Sequence, residues 1–412
     1  MLSHELYERK AFIFKSCLMR LIMRNFTEEQ TMFRDSYRRF LEAEVVPHME
    51  RFREQGIVDR EIFQKAGEQG LLMIWPDEKY GGLGDNDFRF EQIIIEEVAR
   101  ANTAEWFCTL HSRLVGPYFK NIGNEEQRER FLPKCVTGEH ILAVAMTEPD
   151  AGSDLSGMKS TARDMGSHLV LNGSKTYISN GINADIVVVA AKYIQEGETS
   201  PQGSHSMVLC VVERGMEGFE RGRNLKKMGM PAQDTAELFF KDVEIPKENI
   251  LGVPGKGFYH LMEGLAEERL IVAAGYAASA RKAFDVTRDF VMERKIFGQQ
   301  LSEMQNTQFK MAELDTEIDI FQVYVDHLVA LHNDGKLNAN MAAKAKLQGS
   351  EIEWRMMDEG VQLHGGAGYM EEYPICGMFQ SARINRILAG SSEVMKLIIG
   401  RDVFSEKYNP MV

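Results

Sequence analysis

The stretch Thr307–Asn333, TQFKMAELDTEIDIFQVYVDHLVALHN, is an uninterrupted amphipathic run of 27 residues. At 1.5 Å per residue it predicts a single helix about 40 Å long. Such a helix cannot bury its apolar stripe against a short neighbour, so it demands long helices beside it. The chain supplies them. Residues after Pro254 read as helix, Gly335 and GKLN form a break, and a second long run goes from Asn338 towards Leu363. The glycine cluster HGGAGYM follows, then a last helix ending near Phe404. Long helices joined by short breaks predict an antiparallel four-helix bundle over residues 253–412.

The texture is different between residues 143 and 252. The runs ADIVVVAAK, SMVLCVVERG and TAELFFKDVEIP read as strands, and HLVLNGSKTYIS carries Asn172-Gly173 between alternating residues, which predicts a hairpin. IQEGETSPQGSH reads as an exposed loop. Residues 25–142 return to helical spacing, with Phe33, Tyr37, Phe40 and Leu41 on one stripe and Thr27 with Gln30 as a capping box. The expected fold class is therefore mainly α with a β insert: a helical N-terminal domain, a β middle domain and a helical bundle. Residues 1–24 are set apart as an extension, disordered or preceding a natural start at Met23.

At 412 residues the chain exceeds one ordinary core. A net charge of −13 argues against nucleic acid or an anionic membrane as default partner. Cys17, Cys108, Cys135, Cys210 and Cys376 are scattered without a C-x-x-C pair, as expected of thiols in a reducing compartment. The histidines show no ligand spacing, so no metal site is expected. No run is long enough to span a bilayer. The cytoplasm is the expected compartment, with the mitochondrial matrix as the alternative.

In LMEGLAEERLIV, Leu261, Leu265, Glu268 and Val272 are spaced four, three and four, placing Glu268 on an apolar stripe. A carboxylate against an apolar wall has its charged form disfavoured, which raises its proton affinity into the range of a general base. Pairing with a nearby arginine is the plainer alternative. The segment AMTEPDAGSD, Ala145–Asp154, offers hydroxyls, small residues and a proline-fixed turn, suited to a planar polar ligand or to an ordinary turn.

That segment, with TYISNG, ERKIFG, QLHGGAGYM and LAGSSEVMKLIIGRD in the same order, closely resembles the acyl-CoA dehydrogenase family over residues 27–405. GRNLKKMGMPAQDTAELFF looks like the long-chain branch, and a base on the ERL helix is similar to the isovaleryl-CoA and long-chain enzymes. The resemblance implies FAD as cofactor, an N-terminal helical domain, a β-barrel middle domain, a C-terminal four-helix bundle and a homotetramer. It implies that Val144, Met146, Thr147, Gly152 and Ser153 line the flavin, with Ser153 also touching the acyl-CoA. Tyr177, Ile178 and Ser179 are expected against the isoalloxazine, Tyr177 replacing the tryptophan of many relatives. Arg294, Phe297, Gln305, Gln362, Gly365, Gly366, Ser391 and Glu393 are expected to hold the rest of the FAD, partly from a neighbouring subunit. For Gly365 and Gly366 an ordinary helix stop is the alternative.

Many relatives carry the base in the final motif, where this chain has Ala389. The resemblance then selects Glu268 instead, agreeing with the helical-face argument. Arg269 is expected beside the substrate, or in a helix-surface ion pair. Gly390 and the Ala389 main-chain N–H, with a flavin ribityl hydroxyl, are expected at the thioester oxygen. The implied reaction takes the α-proton to Glu268 and the β-hydrogen as hydride to flavin N5, giving trans-2-enoyl-CoA from a medium-to-long acyl chain. Electrons would pass to an electron-transferring flavoprotein. The alternatives are a branched-chain dehydrogenase, an acyl-CoA oxidase and a silent acyl-CoA- or flavin-binding scaffold.

Overall fold

The computed structural model describes residues 24, 26–203 and 205–406. The expectation for residues 1–23 lies outside them. Arg24, which the sequence assigned to the extension, is instead engaged: it donates to Glu96 at 2.5 Å and to both oxygens of Asp326 at 3.0 and 2.7 Å.

The N-terminal region contains α1 (Glu28–Phe40), α2 (Met49–Gln55), α3 (Arg60–Glu68), α4 (Phe88–Arg100), α5 (Gly116–Ile122) and α6 (Glu125–Val136). The capping box that opens α1 forms as read, Thr27 Oγ1 accepting from Gln30 N and Gln30 Oε1 from Thr27 N. Tyr37, Phe40 and Phe63 gather around the buried Trp106. A π-helical segment, Leu110–Val115, precedes α5. Such turns re-aim side chains and recur at functional sites; this one carries Arg113.

The middle region holds β1 (Leu142–Ala145), β2 (Thr161–Asp164), β3 (His168–Ser179), β4 (Ile186–Ile194), β5 (Met207–Glu213), β6 (Phe219–Asn224), β7 (Thr235–Pro246) and β8 (Ile250–Leu251). They form one sheet in the order β6-β7-β3-β2-β4-β5-β8, with β1 parallel to β4. Two sequence expectations need correction. The sheet does not close into a barrel: β6 and β8 end it on opposite sides among the described residues. Nor is Asn172-Gly173 a hairpin turn; it lies inside the continuous strand β3, at a register shift against β7. Gly173 has φ 145°, and a Cβ there would stand 2.2 Å from Ser160 Oγ. The glycine serves a bulge and a close approach of Ser160, the residue before β2.

The C-terminal region contains α7 (Gly257–Glu293), the small hairpin β9 (Lys295–Ile296) and β10 (Gln299–Gln300), α8 (Gln305–Asn333), α9 (Ala339–His364), α10 (Pro374–Ala382) and α11 (Ser392–Val403). Three long helices therefore form the bundle, and the shorter α10 and α11 complete it. Leu270, Ala277, Phe321, Val325, Ala345 and Met356 are among its buried residues, joined by Phe88 and Ile95 of α4. A second core wedges α5, α6 and the start of α7 onto the sheet through Phe119, Leu132, Leu209 and Leu261. The first turns of α7 thus sit between helical domain and sheet, which places Glu268 at that junction. None of the described helices is long and apolar enough to cross a membrane.

Candidate active site

Glu268 projects from the fourth turn of α7 and is only 7% exposed. The arginine pairing that competed with the catalytic reading is not observed among the described residues. Its one hydrogen bond among the described residues comes from Tyr118 of α5, whose hydroxyl donates to Glu268 Oε1 at 3.3 Å. Burial pushes the carboxyl up to about 7, the Glu267 charge adds to this, and the Tyr118 hydrogen bond and Arg269 oppose it. A buried carboxyl poised near neutrality can take and return a proton under ordinary conditions.

Glu268 and Tyr118 face a narrow cleft between α5 and α7, about 30 Å³ in volume and open to solvent on one side. Leu114, Pro117 and Ile122 give it an apolar side. The opposite side is ionic: Arg113 Nε meets Glu267 Oε1 at 2.5 Å, and Arg113 Nη1 donates to Asn86 at 2.9 Å. Arg113 Nη2 lies 3.4 Å from His332 Nε2. Burial lowers the His332 pKa, which favours the neutral ring as acceptor. Glu267, a quarter-turn from Glu268, is thereby committed to Arg113, and Glu263, which also lines the cleft, is largely exposed, so Glu268 is the cleft's buried unpaired carboxylate among the described residues.

Arg269 departs from its surface alternative. It is buried, no ion pair to it is found among the described residues, and its Nε lacks a hydrogen-bond partner. A second open pocket, about 470 Å³, is lined by Tyr193, His205, Lys256 and Tyr259. Lys256 and Glu268 are separated by 12 positions along α7, about 18 Å. The two pockets therefore lie along one stretch of helix.

The loop after β1 is held by a buried ion pair that sequence reasoning missed. Lys175 Nζ donates to Glu148 Oε1 at 2.8 Å and to Met146 O at 2.9 Å. Glu148 also accepts from the main-chain N–H of Lys159 and Ser160, and Thr176 N donates to Thr147 O at 3.0 Å. These contacts bring Val144, Met146 and Thr147 together with Tyr177, Ile178 and Ser179. Gly152 and Ser153 stand exposed at the loop's tip. Tyr177 has φ 59° and is 69% exposed, a ring near the end of β3 with no aromatic neighbour among the described residues. The exposed Ser153, the half-buried hydroxyls of Thr147 and Ser179 and the exposed Tyr177 ring fit the polar rim and flat surface of a flavin ring.

The other expected FAD residues are elsewhere. Arg294 and the 97%-exposed Phe297 lie at the hairpin beyond α7, and Gln305 starts α8. Gln362, Gly365 and Gly366 end α9 nearby, since Phe290 stacks on His364 at 4.1 Å. Arg294 is 26 positions from Glu268, about 39 Å along α7. One chain does not bring this group to the site. Ala389 and Gly390 adopt φ 53° and 92°, and Ser391 caps α11 through Val394 N, with Glu393 exposed in its first turn.

Family models for the N-terminal, middle and C-terminal domains of acyl-CoA dehydrogenases match residues 27–139, 143–243 and 255–404. The mitochondrial long-chain specific acyl-CoA dehydrogenase of Mus musculus is 44% identical over 93% of this chain and 89% of its own length. The mitochondrial isovaleryl-CoA dehydrogenase of Pongo abelii is 35% identical over 91% and 88%. An acyl-CoA dehydrogenase structure from Geobacillus kaustophilus superposes with a TM-score of 0.89 at 45% identity, covering 92% of this chain and 99% of that one. Both curated relatives are mitochondrial, which does not favour the cytoplasm expected from the sequence. The family comprises FAD-dependent oxidoreductases. On matched domains, fold and a shared sequence running nearly end to end, the chain belongs to the acyl-CoA dehydrogenase family.

Proposed function

We propose that this protein oxidises a medium-to-long-chain acyl-CoA to the trans-2-enoyl thioester, with Glu268 as the base that removes the α-proton. The observation that carries this reading is a buried carboxylate with no countercharge bonded to it, held by a single tyrosine hydroxyl on a cleft with an apolar side. The α-proton of a thioester is weakly acidic, so the carbonyl oxygen needs preorganised donors as charge develops. The Ala389 N–H is the main-chain donor for that oxygen, and an alanine side chain does not impair it. Arg269, with a free donor beside Glu268, lies toward the substrate. The aromatic and cationic lining of the second pocket suits a phosphorylated nucleotide head, and α7 spaces it from Glu268 as an extended thioester arm requires.

FAD, when bound, accepts the β-hydrogen as hydride and carries the electrons away. Val144, Met146, Thr147, Gly152, Ser153, Tyr177, Ile178 and Ser179 would hold its ring in the same chain. Arg294, Phe297, Gln305, Gln362, Gly365, Gly366, Ser391 and Glu393 would serve its remainder, those at the far end of α7 acting across subunits of a homotetramer. An electron-transferring flavoprotein is the proposed acceptor and the mitochondrial matrix the proposed compartment. Peroxide building up in air without any other acceptor would instead assign an oxidase.

The test is anaerobic mixing of the FAD-loaded protein with straight and branched acyl-CoAs, followed by the loss of flavin colour. Straight medium and long chains should bleach it fastest. Fastest bleaching by isovaleryl-CoA would move the assignment to the branched-chain reading, and no bleaching by any thioester would remove the enzymatic one.

The pH dependence has a definite sign. Glu268 must be ionised to act, so bleaching at subsaturating substrate should rise with pH through about 7 and level off above it. The Tyr118 hydrogen bond favours the carboxylate form, so Tyr118→Phe should move this midpoint upward. Measured pH profiles of the two proteins check both statements; an unchanged or lowered midpoint in the variant would detach Tyr118 from the base.

A further inference from the structure

Three residues that no part of the proposed reaction uses converge on Asn385, two of them on its peptide carbonyl. Asn385 sits in the 3-10 turn Arg383–Arg386, four residues before Ala389. Its carbonyl oxygen accepts from Lys346 Nζ of α9 at 2.9 Å and from Tyr276 Oη of α7 at 3.2 Å. Its side-chain amide donates to Glu353 Oε2 at 2.7 Å. Lys346, Tyr276 and Glu353 are all buried. Lys346 makes no ion pair among the described residues, so its ammonium is desolvated chiefly to reach this carbonyl. An arrangement that costly needs a reason beyond packing.

The reason lies in the hydrogen bond that does not form. Helical continuation through this turn runs Leu388 N to Ile384 O at 3.0 Å. The next such bond would join Ala389 N to Asn385 O. A carbonyl oxygen has two lone pairs, and both are already taken by Lys346 and Tyr276. Ala389 instead turns into the left-handed region at φ 53°, Gly390 follows at φ 92°, and no backbone acceptor is found for the Ala389 N–H among the described residues. An alanine held at positive φ is strained, and such strain persists where the surroundings over-determine it.

We propose that Lys346 and Tyr276 are positioning residues that occupy the Asn385 carbonyl and so keep the Ala389 N–H free to donate to the thioester oxygen of the substrate. Glu353 fixes the asparagine side chain and prevents the turn from rotating. This inference rests on the reading of Ala389 as thioester donor given above. Without the two capping donors, Asn385 O recovers its own chain as partner, the helix gains a turn, and the donor is withdrawn from the ligand.

The test compares affinities in the FAD-loaded Glu268→Gln protein, where turnover is blocked. Its dissociation constants are measured for an acyl-CoA thioester and for the alkyl-CoA thioether of equal length, which lacks the carbonyl oxygen. The thioester should bind at least about tenfold tighter, the share of the Ala389 N–H at about 1.4 kcal/mol, with the flavin ribityl hydroxyl adding to it. Adding Lys346→Met, or Tyr276→Phe if the first change prevents folding, should narrow that ratio at least threefold while leaving thioether affinity within twofold. A ratio unchanged in both variants overturns the inference without touching the donor reading. Equal affinities before either change is made overturn the donor assignment itself. Parallel losses for both ligands also overturn the inference, since they mark general disruption rather than a withdrawn donor.

Discussion

Glu268→Gln is expected to slow dehydrogenation by about 10²–10⁴-fold, the usual contribution of a positioned general base. The substitution keeps the side chain's size and its acceptor for Tyr118, so acyl-CoA affinity should change little. The large effect follows from isolation. Glu267 is tied to Arg113, and the commoner position of the base in the final motif is Ala389. Of the other carboxylates lining the cleft, Glu267 is paired and Glu263 is largely exposed to solvent. The check is anaerobic bleaching of the FAD-loaded variant alongside a binding titration. Turnover within threefold of the parent would remove Glu268 from the chemistry.

Lys175→Met is expected to have the largest effect on stability. Its partner Glu148 lies in the loop that precedes Gly152 and Ser153, and both charged groups are buried. Removing one member of a buried ion pair costs about 3–5 kcal/mol, because the other charge stays desolvated and unpaired. Here the loss also frees Met146 O and loosens the loop from β3 at the proposed flavin surface. The variant should shed FAD on gel filtration and unfold at a lower temperature. Exchanging Glu148→Gln as well should recover part of that loss, since no lone charge is then left behind. FAD retention and an unfolding temperature equal to the parent's would show that the pair does not hold this loop.

The domain textures were legible because period and length carry them. A 29-residue α8 and a 37-residue α7 leave a 3.6-residue pattern that no sheet reproduces. Glu268 was legible for the same reason: its spacing from Leu261 and Val272 belongs to one helix. Its environment was not. Tyr118 comes from a helix 150 positions away, and nothing local in either segment marks the pair. Lys175 and Lys346 look like ordinary charged residues in their own segments, yet both are fully buried by partners distant in sequence. Asn172-Gly173 misled for a physical reason. Asn-Gly satisfies a hairpin turn, but the same freedom of Gly173 is needed where Ser160 presses against β3. Local chemistry gives the permission; the neighbouring strand decides its use. Closure of the sheet was likewise beyond sequence patterning, because alternation sets which face is buried and not whether the end strands meet.

The most direct measurement is a structure of the protein with FAD and a non-reacting acyl-CoA analogue, read at the substrate's α-carbon. The account predicts a Glu268 carboxylate oxygen about 3–3.5 Å from that carbon, in line for proton removal. Glu268 turned away from the α-carbon, with a different basic group at that distance, would contradict it.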